Sequence, residues 1–252
     1  MTKVVDVLNF IDSISPFSLS ESWDNSGLLV GDKNAQVKKI AVVLDVSESV
    51  VCQAIENGVD LIVSHHPIIF RPKKSFTAES LEYKLVSNHI SVISCHTNFD
   101  SADGGVNDVL CEIIGLKNVY KLESDQSSSL LVRAGETDEM TGAEFAKKVS
   151  DILKGKVTLA DSGKTIKTVA VCTGSGGDFV SDVIKEGIDA YLTGEISYHT
   201  MCEAKDDGLT VVAAGHYETE KPAMMSLEKR MKKEFDSVDF VSIDEPCPFE
   251  YY

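Results

Sequence analysis

Six histidines occur in the 252 residues, and four of them (His65, His66, His96 and His216) stand where an apolar run stops. Two of the four have a carboxylate four residues on, Asp100 after His96 and Glu220 after His216. Neutral imidazole suits Zn, Fe, Ni or Mn, and carboxylates can bridge two cations and offset their charge. His65 and His66 are neighbours, so on a regular strand their side chains would face opposite ways. At a strand end the chain turns, and the two rings can then diverge toward two ions about 3.5–4 Å apart, as two-metal sites need. Pro67 follows at once and holds His66 in extended geometry. Taken singly, His-His-Pro is also a surface turn, and His-x-x-x-Glu is also a solvated helix start. Taken together, the strand-end histidines and their paired carboxylates point to a metal site. Cys52, Cys95, Cys111, Cys172, Cys202 and Cys247 are scattered with no CxxC pair, so they suggest neither a zinc knuckle nor a disulfide framework.

The elements that must carry these residues come from a duplication. Residues 38–66 (KKIAVVLDVSESVVCQAIENGVDLIVSHH) align without a gap on residues 167–195 (KTVAVCTGSGGDFVSDVIKEGIDAYLTGE), with Gly58 on Gly187 and Asp60 on Asp189. Each copy reads as a buried strand, a turn, a helix closed by glycine and a second apolar strand: a βαβ unit with a parallel pair. The match resumes where ISVISCHTNFD (90–100) lies over TVVAAGHYETE (210–220), setting His96 on His216 and Asp100 on Glu220. The expected fold is therefore α/β with two similar lobes, and a carboxylate from each repeat facing across a shared cleft would be a natural way to hold metal. The polar run SDQSSS at 124–129 is the expected seam, giving a first lobe at 1–123 and a second at 124–252. MTKVVDVLNFIDSI reads as an amphipathic helix, and Thr141 as the N-cap of TGAEFAKKVSDILKG. Met224, Leu227, Met231 and Phe235 form one stripe on a helix after Pro222, suited to core or subunit packing. DFVSID reads as a closing strand, and PCPFEYY as a tail available to a neighbouring chain. TGSGGD (Thr173–Asp178) is either an anion-binding turn or simply a tight strand-to-helix connection, since its spacing fits neither common phosphate loop.

Composition narrows the function classes. Lys and Arg number 24 against 40 Asp and Glu, a net charge of -16, which repels phosphate backbones and argues against nucleic acid as a partner. With 43% apolar residues there is enough to build a core. No run reaches the ~20 apolar residues of a membrane span, and no signal-peptide layout opens the chain, so a cytoplasmic location is expected. Serine hydrolase chemistry lacks its G-x-S-x-G elbow.

SWDNSGLLVGD, DLIVSHHPIIF, SCHTNFDSADGGVND, DAYLTGEISYH and AAGHYETEKP, spread from residue 22 to 222, together resemble the GTP cyclohydrolase 1 type 2 homolog family, also called the NGG-interacting-factor-like family. The resemblance implies two divalent metal ions (Zn, Fe, Mn or Co) on His65, His66, Asp100, His216 and Glu220. In it His65 and His66 serve different ions, Asp100 binds one, and Glu220 bridges. It places His96 and His199 along the same cleft, as acid–base groups or as supports of the ligands. It also implies a fold of two intertwined, similar α/β lobes, mixed sheets flanked by helices, with the metal site in the cleft between lobes, and a ring-shaped homohexamer; the chain is too short for the small extra domain that some members carry between the lobes. One departure stands before Arg133-Ala134-Gly135-Glu136, where SSSLLV replaces a glycine-rich stretch. Two activities stay open. One is a metal-dependent, cyclohydrolase-like hydrolase acting on a nucleotide-like or small heterocyclic or anionic compound. The other is a non-catalytic protein for metal handling or protein interaction.

Overall fold

A computed structural model describes residues 1–123 and 130–249. The chain forms two compact units, Met1–Asp103 together with the stretch from Met224 onward, and Gly104–Ala223. The divisions thus fall at 103/104 and 223/224, whereas the expected division lay at 123/124. The seam expected at 124–129 lies outside the described residues. The difference has a physical origin in strand pairing: residues 117–121 hydrogen-bond into the second unit's sheet, and the last strand returns to the first unit's sheet.

The first unit begins with α1 (Val4–Ile14), β1 (Gly27–Val30), β2 (Lys39–Val43), α2 (Glu48–Asn57), β3 (Leu61–Ser64), α3 (Leu81–Ser87), β4 (Ser91–Ser94) and α4 (Thr97–Ser101). The second contains α5 (Val106–Ile113), β5 (Lys117–Lys121), β6 (Arg133–Met140), α6 (Gly142–Leu153), β7 (Thr158–Ala160), β8 (Ile166–Ser175), α7 (Val180–Lys185), β9 (Ala190–Glu195), α8 (Tyr198–Asp206) and β10 (Thr210–Ala213). α9 (His216–Glu234) starts there and runs into the residues of the first unit, which end with β11 (Asp239–Phe240).

KIAVV, LIVS and SVIS are nearly continuous apolar runs, as strands covered on both faces require. They form the centre of a sheet ordered β1-β4-β3-β2-β11, in which β1 alone runs antiparallel. Its core gathers Val43, Val50, Val51, Ala54, Ile62, Leu85 and Val92. α2 starts where the Ser47 side chain accepts from Val50 N (3.3 Å) and stops at Gly58, whose φ of 65° favours glycine. In the second unit the sheet is ordered β5-β6-β8-β9-β10-β7, and apolar clusters cover both of its faces. Thr141 caps α6 in a reciprocal box with Glu144, as expected from TGAE.

The two sheets contain the same four-stranded piece, β1-β4-β3-β2 in one and β7-β10-β9-β8 in the other, with three parallel strands and one antiparallel edge. One aspartate does the same job in both. Asp60 Oδ2 accepts from Lys38 N and Lys39 N (2.8 and 2.9 Å), and Asp189 Oδ2 accepts from Lys167 N and Thr168 N (2.9 Å each). The copies differ at the far edge: β11 lies parallel on β2, while β6 lies antiparallel on β8.

α9 begins at His216, six residues before the proline expected to start it. Pro222 therefore lies inside the helix. Met224, Leu227 and Met231 are buried along the predicted stripe, and Phe235 packs edge-on against Phe10 at 5.5 Å. The early start matters, because it puts His216 and Glu220 on one helical face. Just before the C-terminal tail, the Glu245 carboxylate accepts from Leu44 N and Asp45 N (2.9 and 2.6 Å), fastening the end of β2. Among the described residues no helix is long and apolar enough to cross a membrane.

Removing either duplicated aspartate strands two backbone N–H groups at the head of a central strand. Asp60→Ala and Asp189→Ala should each cost roughly 1–3 kcal/mol, read as a lower urea midpoint. Asp189→Ala should cost more, because Thr168 Oγ1 also donates to that carboxylate. Unchanged midpoints would show that these bonds contribute nothing.

Candidate metal centre

In the first unit Val43, Ser64 and Ser94 are register partners at the carboxyl ends of β2, β3 and β4. Ligands bind beyond such ends in parallel sheets. The backbone ladder continues one step past them, with His65 N on Val43 O, His66 N on Leu44 O and Cys95 N on Ser64 O. His65, His66 and His96 thus leave the sheet from one edge. Because β3 ends at Ser64, the two adjacent histidines are released from strand alternation. Their rings tilt by 45° with centroids 5.0 Å apart. His96 lies 5.2 Å from His65 and 5.6 Å from His66, ring to ring. One ring nitrogen from each of the three lies within 4.8 Å of the others, a spacing able to hold a metal ion.

Each ring is oriented through Nδ1. His65, fully buried, places Nδ1 2.9 Å from Cys95 O. A carbonyl only accepts, so Nδ1 carries a proton, and in the neutral form of the ring Nε2 is the atom that offers a lone pair to a metal. That Nε2 lies 3.6 Å from Asp100 Oδ1. His66 Nδ1 lies 2.8 Å from Asp45 Oδ1, and His96 Nδ1 lies 2.8 Å from Asp24 Oδ1. Asp24 also accepts from Ser26 Oγ, Thr97 Oγ1 and Thr97 N. Burial works to raise its pKa, but the His96 hydrogen bond and charge, with the Thr97 and Asn25 bonds, hold it well below the usual carboxylate range. Asp24 reaches His96 because antiparallel β1 sets Gly27 opposite Ser94, so the residues leading into β1 lie beside those leaving β4. Asp100 stands on α4, one turn from His96, with its N–H on His96 O.

The second unit repeats the device with other side chains. His216 opens α9 directly beyond β10, and its Nδ1 lies 3.1 Å from Glu195 Oε2 at the end of β9. Its Nε2 lies 3.2 Å from Glu220 Oε2 across the helical turn. The His216 bond holds the Glu195 carboxyl below its usual range; burial opposes this, and the Ser175 hydroxyl assists. Glu220 is 4% exposed. Gly174, at the end of β8 with φ of 59°, makes room for it: a Cβ there would stand 2.2 Å from Glu220 Oε1 and 3.2 Å from His216 Nε2. Within TGSGGD, Gly174 N donates to Thr219 Oγ1 and Gly176 N to Thr193 Oγ1, and a Cβ at either position would meet an atom at 2.2 or 2.4 Å, so these two glycines serve close packing with their N–H groups used internally.

Of the residues singled out from the sequence, the structure gathers His65, His66, His96 and Asp100 in one unit and His216 with Glu220 in the other. His96, expected as an acid–base or supporting group, stands in the first cluster with its nitrogen as available to a metal as those of its neighbours. His199 is exposed in the first turn of α8, its ring 5.4 Å from that of Tyr198. The Cys95 backbone carbonyl orients His65, while its thiol is buried and pushed up to about 12, by burial first and then by the Asp100 charge. It is a protonated core thiol. The residues missed from the sequence are the orienting carboxylates Asp24, Asp45 and Glu195. A signal existed for each: Asp24 lies within SWDNSG, Asp45 directly follows the first apolar strand, and Glu195 occupies the place of His66 in the second copy.

Imidazole nitrogens with carboxylate oxygens are a donor set for a first-row divalent cation. Histidines held by an oxygen on the opposite nitrogen are how such ligands are usually oriented. The residues therefore fit the metal that the family likeness implies.

The fold and these clusters define a duplicated α/β protein with histidine–carboxylate groups at the carboxyl ends of both sheets. Residues 2–248 match the family described as Duf34/NIF3 (NGG1p interacting factor 3), and the chain belongs to it. A Clostridium perfringens protein named GTP cyclohydrolase 1 type 2 homolog is 36% identical over 99% of both chains. A Helicobacter pylori protein named GTP cyclohydrolase 1 type 2 is 32% identical over 88% of each. Among solved structures, a Staphylococcus aureus hypothetical protein superposes with a TM-score of 0.88 at 30% identity, covering 99% of both chains.

Gly174→Ala tests the cradle around Glu220. The left-handed backbone alone should cost roughly 1–2 kcal/mol, and the new methyl group must displace the carboxylate. A lower melting temperature with weaker divalent-cation binding is expected; an unchanged value of both would contradict the role given to Gly174.

Proposed function

We propose that His65, His66, Asp100, His216 and Glu220 hold two divalent metal ions, and that the protein is a metal-dependent hydrolase of a small heterocyclic, nucleotide-like or anionic compound. The observation that carries this reading is the set of four histidines, each oriented by an oxygen on Nδ1. A structural histidine needs no such uniformity. Divalent ions held there supply Lewis-acid polarisation and activate water near neutral pH. The protein's own part is to fix the donor atoms and to move protons. Asp24, Asp45 and Glu195 keep His96, His66 and His216 in one tautomer, and Asp100 and Glu220 offset cationic charge. His96, firmly oriented yet partly accessible, is the first acid–base candidate, and exposed His199 is the second. With a net charge of -16 the chain repels free phosphates, so metal ions are what would attract an anionic substrate. The cyclohydrolase names of the relatives favour opening of a heterocyclic ring. The ring-shaped homohexamer implied by the likeness belongs to the same proposal.

A second reading, a non-catalytic metal-handling or interaction protein, is favoured by the family description, which refers to a protein partner. The two readings share the metal and differ in turnover.

Metal analysis of untagged protein purified without chelator should give two equivalents per chain. Glu220→Ala and His66→Ala should reduce this to one or none with little change in folding, and Glu195→Ala should weaken metal affinity about 10- to 100-fold. A panel of nucleotides, cyclic amides and phosphate esters should then show hydrolysis lost with the metal. Metal without turnover on any of them selects the second reading. No metal after incubation with Zn, Mn, Fe and Co would overturn both.

A further inference from the structure

Beside the histidine cluster, and unused by it, stand two exposed aromatic rings. Trp23 is 58% exposed and Phe70 is 47% exposed. Large aromatic side chains are left in water at a cost, and next to a group of oriented polar side chains they mark a contact surface. Trp23 comes from the loop before β1, which the antiparallel pairing of β1 with β4 brings beside His96. Phe70 comes from the loop after β3, four residues beyond His66. The ring centroids of Trp23 and Phe70 lie 5.9 Å apart with planes at 67°. Each also lies 6.2 Å from the His96 ring, at 74° for Trp23 and 82° for Phe70. The three rings stand at 67–82° to one another and make a corner, so a flat molecule laid on the face of one is steeply inclined to the other two, a kind of arrangement aromatic rings prefer. The corner is also tied together, since Asn25 Nδ2 donates to Ile69 O (2.5 Å) and joins the two loops immediately beside the rings they carry.

We propose that Trp23 and Phe70 form the subsite that takes the planar ring of the substrate, by stacking on its face next to the metal-holding histidines. The inference rests on the hydrolase reading for its substrate and narrows it to compounds with a flat aromatic heterocycle. The rings supply π-faces and apolar area, and stacking of this kind tolerates changes around the heterocycle's edge. Selection at this corner is therefore for planarity over ring identity, and a sugar phosphate alone has nothing to place there.

Trp23 is the single tryptophan of the chain, so its fluorescence reports directly on this corner. The full-length protein, with its metal content measured in the same samples, is titrated with guanosine, adenosine and ribose 5-phosphate. Saturable quenching by both nucleosides, within a few-fold of one another, and none by the sugar phosphate is expected. Phe70→Leu, which keeps the apolar bulk but removes the ring, should weaken nucleoside binding by at least about fivefold, while Phe70→Tyr restores it. Metal content and melting temperature should be unchanged in both variants. Calorimetric titration of Trp23→Leu should show the same loss without relying on fluorescence. Equal binding by Phe70→Leu, or absence of saturable quenching by either nucleoside, overturns the proposal whatever the metal content. Quenching that persists in protein shown to bind no metal supports the subsite and removes the hydrolase reading, so the two failures are told apart.

Discussion

A hydrogen bond to the Nδ1 atom of a histidine is the interaction on which the functional reading depends. An imidazole ring has two nitrogens and, when neutral, one proton. Fixing that proton on one side fixes the lone pair on the other. His65 is held by a backbone carbonyl, His66 by Asp45, His96 by Asp24 and His216 by Glu195. Every one of those oxygens is delivered by strand order. Asp45 lies just past β2 and reaches the neighbouring β3 end; Glu195 closes β9 and reaches the first residue of α9, just past β10. Asp24 reaches β4 only because β1 runs antiparallel to it. Reversing or shifting any of these strands would separate an acceptor from its ring.

The duplication explains why the same device appears twice and why the copies are not equivalent. Both have the four-stranded piece, the aspartate at the head of the first strand, and a histidine with a carboxylate one helical turn on. At the ends of the first two strands they diverge. Where one copy has Asp45, His65 and His66, the other has Gly174, Gly194 and Glu195. The first copy therefore adds two imidazoles. The second instead uses a glycine so that the buried Glu220 carboxylate can lie against the strand end. One scaffold thus yields a nitrogen-rich group and a carboxylate-rich group.

Much of this was legible in the residues themselves. Apolar runs such as KIAVV and LIVS, separated in each copy by a helix that Gly58 or Gly187 closes, announce βαβ units, and the pairing of His96 with His216 announces the strand ends that matter. What escaped depends on three dimensions. That the division of the chain falls at 103/104 and 223/224 reflects which sheet β5 and β11 join, a choice between two similar edges that local pattern does not encode. The helix expected to start at Pro222 starts at His216, because α9 begins directly where β10 ends; Pro222, which lacks the N–H of a regular turn, then falls inside it. Asp24, Asp45 and Glu195 are ordinary acidic residues among forty until the sheet places each beside a ring. His199, by contrast, rests on likeness alone, and among the described residues its exposed ring stands beside Tyr198 on α8.

That these histidines are oriented to bind metal through Nε2 is open to a direct test. Anomalous diffraction from crystals of the metal-loaded protein, collected on both sides of the metal's absorption edge, locates the ions against the rings. Anomalous peaks are expected at bonding distance from the Nε2 atoms of His65, His66 and His216, with Asp45 and Glu195 still on the opposite nitrogens. Peaks bonded to Nδ1, or no ordered peak beside these rings at full metal loading, would contradict the assignment.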